Sequence, residues 1–256
     1  MSKVKTLVLR APGTNCDAEA AFAFEQAGAE ASLVHVNKLI DHVERLSDYQ
    51  IMVIPGGFTY GDDIAAGKVL ANEIKIKLGE DILRFIERGG LILGICNGFQ
   101  VLAKAGLLPD PSKGDASHFT LTNNDSGKFE CRWVYMKANK KSNCVFTQGL
   151  DLICLPVAHG EGKVAADNAT LPTLNIALFY TDELGHTGAG YPANPNGSTN
   201  DIAGVCDASG RVFGLMPHPE RHIRGTQHPQ WTSLGAKPRG DGFKFFENAV
   251  EWAKRL

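Results

Sequence analysis

The sequence lacks the features that mark several large classes of protein. It contains no run of 18 apolar residues, so we expect no transmembrane helix, and its first residues lack the apolar segment of a secretion signal. Lys and Arg (26) nearly balance Asp and Glu (28), and a net charge of −2 gives no electrostatic basis for binding nucleic acid or a membrane surface. We therefore expect a cytoplasmic protein with neither nucleic acid nor membrane as a partner.

Cysteine pairs and phosphate-binding loops are also missing. None of the six cysteines forms a C-x-x-C pair, a pattern that suits a reduced compartment better than a disulfide scaffold or a zinc ribbon. The best match to a P-loop has five residues between Gly61 and Gly67 where four are required, and Val69 replaces the Ser or Thr that would hold magnesium. No G-x-G-x-x-G follows a strand. We expect no cofactor in this chain, and any ATP-driven step should belong to another polypeptide.

The first half of the chain alternates short apolar runs with helical patterns. Strands are predicted at 5–10, 32–36, 50–55 and 91–95, and helices at 17–27 and 73–88. Short, wholly apolar strands separated by helices favour an α/β fold with an open, mainly parallel sheet and helices on both faces. No repeat or Pro/Gly/Ser-rich linker divides the chain, so we expect a single domain over residues 1–256.

The second half has a different character. The segment 129–137 predicts a longer antiparallel strand, and runs at 202–206 and 211–216 flank a hairpin signal. Asp241 is predicted to cap a last helix. Loops at 109–128 and 186–200, rich in Gly, Pro, Asn and Ser, are expected to be functional or mobile.

The segment around Cys96 carries the strongest chemical signal. The apolar run 91–95 ends in Gly94-Ile-Cys96-Asn-Gly98, and a helical pattern follows at once. This is the cysteine counterpart of the nucleophile elbow, in which small residues permit a strained turn. The N–H groups at the start of the helix favour a reactive thiolate. A buried structural cysteine is the competing interpretation.

A thiol nucleophile requires a base, and the base requires a group to orient it. Pro217 and Pro219 make the chain extended, so His218 and Glu220, two residues apart, point to the same side. We expect the carboxylate to hold one ring nitrogen while the other faces Cys96. Two alternatives stay open, a metal site that includes His222 and His228, and a solvated turn; we expect no metal.

Acyl chemistry also needs donors for an oxyanion. The N–H of Asn97, directly after the nucleophile, is one candidate. The turn Gly56-Gly57, at the end of the apolar run 51–54, offers another, although a plain turn between a strand and a helix would also use glycine.

Six segments carry a resemblance to a known family: 12–17 (PGTNCD), 55–62 (PGGFTYGD), 94–100 (GICNGFQ), 156–162 (PVAHGEG), 191–198 (YPANPNGS) and 216–221 (MPHPER). The chain resembles the class I (triad-type) glutamine amidotransferases, which are flavodoxin-like in fold. Within them it is similar to the glutaminase subunits of phosphoribosylformylglycinamidine synthases of purine biosynthesis. The first, fifth and sixth segments are specific to that subfamily.

The resemblance implies roles for individual residues. Cys96 would be the nucleophile of a triad with His218 and Glu220, and Gly57 and Asn97 would supply the oxyanion N–H groups. Gln100 and the backbone around His159 would help to hold glutamine.

The resemblance also implies partners. Ammonia would pass to a synthetase subunit that uses ATP and magnesium to make the amidine of formylglycinamide ribonucleotide, and a small accessory subunit is expected to bridge the two. Two alternatives remain at this point, another Cys-dependent hydrolase on the same scaffold and a catalytically silent regulatory subunit.

Overall fold

The computed structural model describes residues 3–112, 118–235 and 237–256. Its strands, in chain order, are β1 (Lys5–Arg10), β2 (Glu30–His35), β3 (Ile51–Ile54), β4 (Leu91–Ile95), β5 (Phe119–Thr122), β6 (Glu130–Ala138), β7 (Leu152–His159), β8 (Lys163–Ala166), β9 (Asn175–Thr181), β10 (Ile202–Cys206) and β11 (Val212–Leu215). Its helices are α1 (Asp17–Gln26), α2 (Val36–Ile40), α3 (Lys68–Glu73), α4 (Gly79–Glu87), α5 (Asn97–Lys104), α6 (Trp231–Leu234) and α7 (Phe243–Ala253), with a π-helical turn, Ile74–Leu78, between α3 and α4.

Nine of these strands form one mixed sheet in the order β2-β1-β3-β4-β11-β10-β9-β6-β7. The first five strands of this order run parallel, and the remaining strands extend the sheet in antiparallel pairs. The expected α/β fold is confirmed. So are the antiparallel strand near 129–137, observed as β6, and the hairpin of β10 and β11. Because β3, β4 and β11 are parallel neighbours, their carboxyl ends meet at one edge of the sheet.

Strand β11 shows that helices cover both faces of the sheet. The Phe213 ring stacks on Phe245 of α7, with centroids 6.2 Å apart. A Cβ on the next residue, Gly214, would lie 2.1 Å from the Phe99 ring of α5. Successive strand residues point to opposite faces, so α7 and α5 lie on opposite sides of the sheet.

Three local predictions were wrong. Residues 119–122, predicted as part of a loop, form β5 and pair with β8, because buried Phe119 and Leu121 alternate with exposed threonines; residues 113–117 of that loop lie outside the described residues. Asp241 does not cap α7, whose N-cap is Gly242. Its carboxylate instead accepts a hydrogen bond from the Cys154 N–H at 2.9 Å. The helix predicted from 73 begins earlier, at Lys68.

The buried hydrophobic residues form one continuous core, which extends from Val4, directly before β1, to Ala253, the last residue of α7. In the part of the chain that the structure describes, no helix is both long and apolar enough to cross a membrane.

The packing of α5 on β11 gives a test of this fold. We expect Gly214→Ala to lower the free energy of unfolding by about 1–3 kcal/mol, since the added methyl must displace the Phe99 ring. Gly79→Ala is the matched control. Its Cβ meets nothing within 4 Å at the start of α4, so stability should be unchanged or raised by up to about 1 kcal/mol. Urea unfolding of the three proteins measures both effects, and equal midpoints for Gly214→Ala and wild type would contradict the packing described.

Candidate active site at the carboxyl end of strand β4

Cys96 occupies a tight turn between β4 and α5. Its φ of 52° and ψ of −105° lie in a region that residues with a side chain rarely adopt. The flanking glycines have no room for a side chain, because a Cβ on Gly98 would lie 1.8 Å from the Ile54 carbonyl oxygen. A Cβ on Gly94 would lie 2.7 Å from the Gly98 carbonyl oxygen. The glycine spacing noted in the sequence is therefore a packing requirement of the elbow.

The Cys96 thiol lines a cavity of about 440 Å³. The backbone N–H of Cys96 donates a hydrogen bond to the Leu215 carbonyl oxygen of β11 at 2.8 Å. The Cys96 Sγ lies 3.7 Å from the Ala158 carbonyl oxygen of β7. The other lining residues come from four separated parts of the chain: Gly57, Phe58, Asp62, Ala66, Gln100, Asn123, Gly127, Lys128, Phe129, Ala158, His159, Gly160 and Glu161. A larger cavity of about 530 Å³ lies elsewhere, between α2 and α4, and contains none of the predicted site residues.

His218 and Glu220 are paired just beyond the end of β11. The His218 Nδ1 lies 2.6 Å from the Glu220 Oε1, and both side chains are buried. The backbone N–H of His218 donates to the Pro156 carbonyl oxygen at 2.9 Å, and this bond anchors the segment to β7. The other ring nitrogen, Nε2, is buried and has no hydrogen-bond partner among the described residues. One nitrogen is thus held by a carboxylate and the other is left available.

The electrostatics of His218 link it to both other members of the predicted triad. Burial alone would lower the pKa of His218, but the Glu220 carboxylate and the nearby Cys96 outweigh that effect, and the pKa is raised well above its ordinary value. A raised pKa means that the imidazolium persists to higher pH, and this is the form that can donate a proton to a leaving group.

The three histidines considered as a metal site do not form one group of ligands among the described residues. His222 and His228 lie with ring centroids 5.7 Å apart, both against the edge of Trp133. Among the described residues, the one group of potential ligands that clusters is Cys16, His218 and Glu220, within 4.8 Å of one another. The guanidinium of Arg221 donates to the Cys16 Sγ at 3.0 Å, so a positive charge already occupies that environment.

Backbone donors are present on the side of the cavity next to Cys96. Asn97 is the first residue of α5, and the first N–H groups of a helix have no acceptor within it. Gly57 lines the cavity, and its N–H donates to no acceptor among the described residues. Its φ of 151° favours glycine. Of the two residues predicted to bind an oxyanion, Gly57 therefore borders the cavity, and Asn97 directly follows the cysteine that lines it.

His159 also lines the cavity, and its pKa is shifted in the opposite direction to that of His218. Its Nδ1 faces the Asn124 Oδ1 at 3.1 Å, and the same oxygen accepts the Gly162 N–H at 2.9 Å. Since the Asn124 amide nitrogen donates to two carbonyl oxygens, its oxygen is the acceptor here and Nδ1 carries the proton. Burial, together with the neighbouring His218, lowers the pKa of His159 to about 4, so the ring is neutral at physiological pH.

Gln100 forms part of the cavity wall and is already hydrogen-bonded. Its side-chain oxygen accepts from the Asn97 amide at 3.0 Å, and its amide nitrogen donates to the Glu161 carbonyl oxygen. The Asn97 oxygen accepts from the Thr59 hydroxyl at 2.7 Å. These bonds join α5 to two loops that border the cavity, so Asn97 helps to shape the pocket that Gln100 lines.

Sequence reasoning missed several residues of the site. Asn124, which sets the tautomer of His159, lies in a loop in which no single residue was distinguished. Phe58 and Phe129, with rings 6.4 Å apart and roughly half exposed, form one rim of the cavity. Phe58 lies in the segment 55–62 that carries the resemblance, but no pattern in the sequence brings it next to Phe129. Glu161 lies in the segment 156–162 that carries the resemblance, but its ion pair with Lys104 at 3.5 Å joins residues that are distant in sequence.

The lowered pKa of His159 gives a pH test. Its folded-state pKa of about 4 lies below its ordinary 6.5, so it contributes stability above pH 6.5 that is lost as the pH falls through about 4. Between pH 7 and 4.5 this amounts to about 2–3 kcal/mol. We expect the wild type to lose that much more stability than His159→Gln over this range, as measured by urea unfolding at both pH values. A constant difference between the two proteins would show that His159 is not held neutral by the fold.

Comparison with known proteins agrees with this geometry. The family model of the CobB/CobQ-like glutamine amidotransferase domain matches residues 3–253. Phosphoribosylformylglycinamidine synthase subunit PurQ of Dehalococcoides mccartyi is 58% identical over 100% of both chains. The protein of the same name from Methanococcus maripaludis is 44% identical over 97% of both.

A solved structure supports the same relationship. A chain in the structure of PurLQS from Thermotoga maritima is 35% identical, with a TM-score of 0.75, over 98% of this chain and 99% of that one. The match spans the elbow, the segment with His218 and Glu220, and the strands that bring them together. The chain therefore belongs to the glutamine amidotransferase family, among the PurQ subunits of phosphoribosylformylglycinamidine synthase.

Proposed function

We propose that this chain hydrolyses glutamine to glutamate and ammonia, and delivers the ammonia to an ATP-dependent synthetase subunit of phosphoribosylformylglycinamidine synthase in purine biosynthesis. The observation that carries the proposal is the arrangement around one cavity. A thiol on a strained elbow lines that cavity, and Cys96 interacts electrostatically with His218 of a buried His–Glu pair. The N–H of Gly57, unpaired among the described residues, borders the cavity, and the N–H of Asn97, likewise unpaired, directly follows the thiol.

The first half of the reaction forms a thioester. The Cys96 thiolate attacks the carboxamide carbon of glutamine, and the electron pair of the carbonyl moves to oxygen. The N–H groups of Gly57 and Asn97 stabilise this oxyanion. When the intermediate collapses, the C–N bond breaks and His218, protonated at Nε2, gives its proton to the departing nitrogen. The products are ammonia and a glutamyl thioester on Cys96.

The second half regenerates the thiolate. His218, now neutral, takes a proton from water as the water oxygen attacks the thioester carbon, and the C–S bond breaks to release glutamate. Glu220 holds Nδ1 throughout, which keeps the proton-transferring nitrogen directed towards the reacting atoms. Gln100, through its bonds to Asn97 and Glu161, and the backbone around His159 form the wall against which glutamine binds.

The remaining parts of the proposal concern the setting of the reaction. ATP and magnesium are used on the synthetase subunit, and a small accessory subunit bridges the two chains. We take residues 1–256 as one domain, which the continuous core supports. A cytoplasmic location is supported by six free cysteines.

The nucleophile assignment is tested in the reconstituted synthase. We expect Cys96→Ala to abolish glutamine-dependent synthesis and to leave ammonia-dependent synthesis intact, because the thiol serves only to release ammonia. Synthesis rates measured with each nitrogen source separate the two activities.

Cys131→Ala is the matched control, since Cys131 is exposed but lies on a regular strand rather than on an elbow. This variant should retain both activities. Glutamine-dependent synthesis by Cys96→Ala at the wild-type rate would refute the assignment of Cys96.

Control by the partner is a second test. Ammonia is useful only if it is delivered before it is protonated in solvent, so we expect the isolated chain to be nearly inactive and the synthetase to raise its rate. Between two loops that could respond, 58–67 is the better candidate. It contains Ile64, which is 88% exposed, and several residues with positive φ. The loop 191–198 is instead anchored by buried Asn194, Asn196 and Ser198.

Steady-state hydrolysis of glutamine, titrated with the synthetase subunit and its nucleotide substrate, measures this coupling. A rate that does not rise with the partner would rule out activation by the synthetase without affecting the triad.

A further inference from the structure

The segment Pro12–Asp17 lies against the turn that carries Gly57, although neither the triad nor the pocket wall includes it. The carbonyl oxygen of Gly56 accepts hydrogen bonds from the N–H groups of Asn15 and Cys16, at 3.3 and 3.2 Å. In the reverse direction, the Phe58 N–H donates to the Gly13 carbonyl oxygen at 2.9 Å. Backbone bonds thus join the two segments on either side of Gly57.

The peptide between Gly56 and Gly57 is trans. In a trans peptide the C=O and N–H bonds point in opposite directions. Because two donors of the 12–17 segment hold the Gly56 oxygen, the Gly57 N–H is directed away from that segment. Gly57 also borders the cavity that contains Cys96. The hydrogen bonds behind the turn therefore determine that the free N–H is presented on the cavity side.

The 12–17 segment and the turn that carries Gly57 are packed so closely that neither Gly13 nor Gly57 has room for a side chain. A Cβ on Gly57 would lie 2.7 Å from the Gly13 carbonyl oxygen, and a Cβ on Gly13 would lie 2.0 Å from the Phe58 carbonyl oxygen. The same contact region reaches the base, since a Cβ on Gly56 would lie 2.8 Å from the His218 Cε1 and 3.3 Å from the Cys16 Sγ. Oxyanion turn, base and 12–17 segment thus form one packed unit.

We propose that the Pro12–Asp17 segment is a positioning element that fixes the Gly56–Gly57 peptide in the orientation required to bind the oxyanion. This inference rests on the proposed glutaminase reaction and assigns a physical role to a sequence segment that the reaction itself leaves unexplained. Gly13 is its key position, because its φ of 87° and its contact with Phe58 both require glycine.

The test compares two reactions of Cys96 in the complex with the synthetase. Glutamine hydrolysis passes through an oxyanion, whereas alkylation by iodoacetamide displaces iodide at a saturated carbon and forms none. We expect Gly13→Ala to lower kcat for glutamine by on the order of a hundredfold, the loss typical of one oxyanion donor, with a much smaller change in KM. The rate of Cys96 alkylation should stay within about twofold of wild type, because the three atoms nearest the added Cβ belong to Phe58 and Thr59 and not to Cys96 or His218.

Gly28→Ala is the matched control. Gly28 also has positive φ, 95°, but a Cβ there meets nothing within 4 Å, so the variant carries similar backbone strain away from the turn. It should retain both rates. If Gly13→Ala does not fold, Thr14→Val replaces it. That change removes the hydroxyl that accepts the Ala11 N–H at 3.0 Å and should lower kcat several-fold with alkylation preserved.

The outcomes are distinguishable. A wild-type kcat in the Gly13→Ala variant, or an equal loss of hydrolysis and alkylation, would overturn the positioning role. Absence of glutamine hydrolysis by the wild-type complex would instead overturn the proposed function.

Discussion

The positive φ of Cys96 is the constraint on which the arrangement of the site depends. A conformation of this kind costs about 1–3 kcal/mol, and it persists because packing and hydrogen bonds around the turn exclude the relaxed conformations. The Gly98 backbone packs directly on the Ile54 carbonyl, and the Cys96 N–H is bound by Leu215. The neighbouring strands β3 and β11 therefore hold the turn from both sides, and the thiol is displayed at the start of α5.

The parallel order of β3, β4 and β11 explains how distant residues reach that thiol. Each strand ends at the same edge of the sheet, and each is followed by one component of the site: Gly57 after β3, Cys96 after β4, and His218 after β11. Strand β7 reaches the same cavity with Ala158 and His159, although it lies at the far edge of the sheet. The bond from the His218 N–H to Pro156 connects these two parts.

The sequence was informative where the determining interactions are local. The apolar strands β1, β3 and β4, the glycine spacing around Cys96 and the two-residue step from His218 to Glu220 all depend on neighbours in the chain. Prediction failed where a distant group competes for a residue. Aspartate is a common helix cap, but the carboxylate of Asp241 instead accepts a hydrogen bond from the Cys154 N–H on β7. Asn124 and the 12–17 segment act through contacts formed only after the chain has folded, so no local pattern marks their roles.

Two buried histidines near Cys96 show how the fold gives the same type of side chain different charge states. Both are buried, and burial lowers the pKa of each. At Nδ1, His218 meets the carboxylate of Glu220, whereas His159 meets the amide oxygen of Asn124. A carboxylate compensates the charge of an imidazolium and an amide does not, so His218 holds its proton while His159 remains neutral. The neutral ring also avoids placing a second positive charge near His218. The partner at Nδ1 thus decides the difference: with Glu220, His218 is suited to proton transfer, and with Asn124, His159 is suited to accepting a hydrogen bond at Nε2.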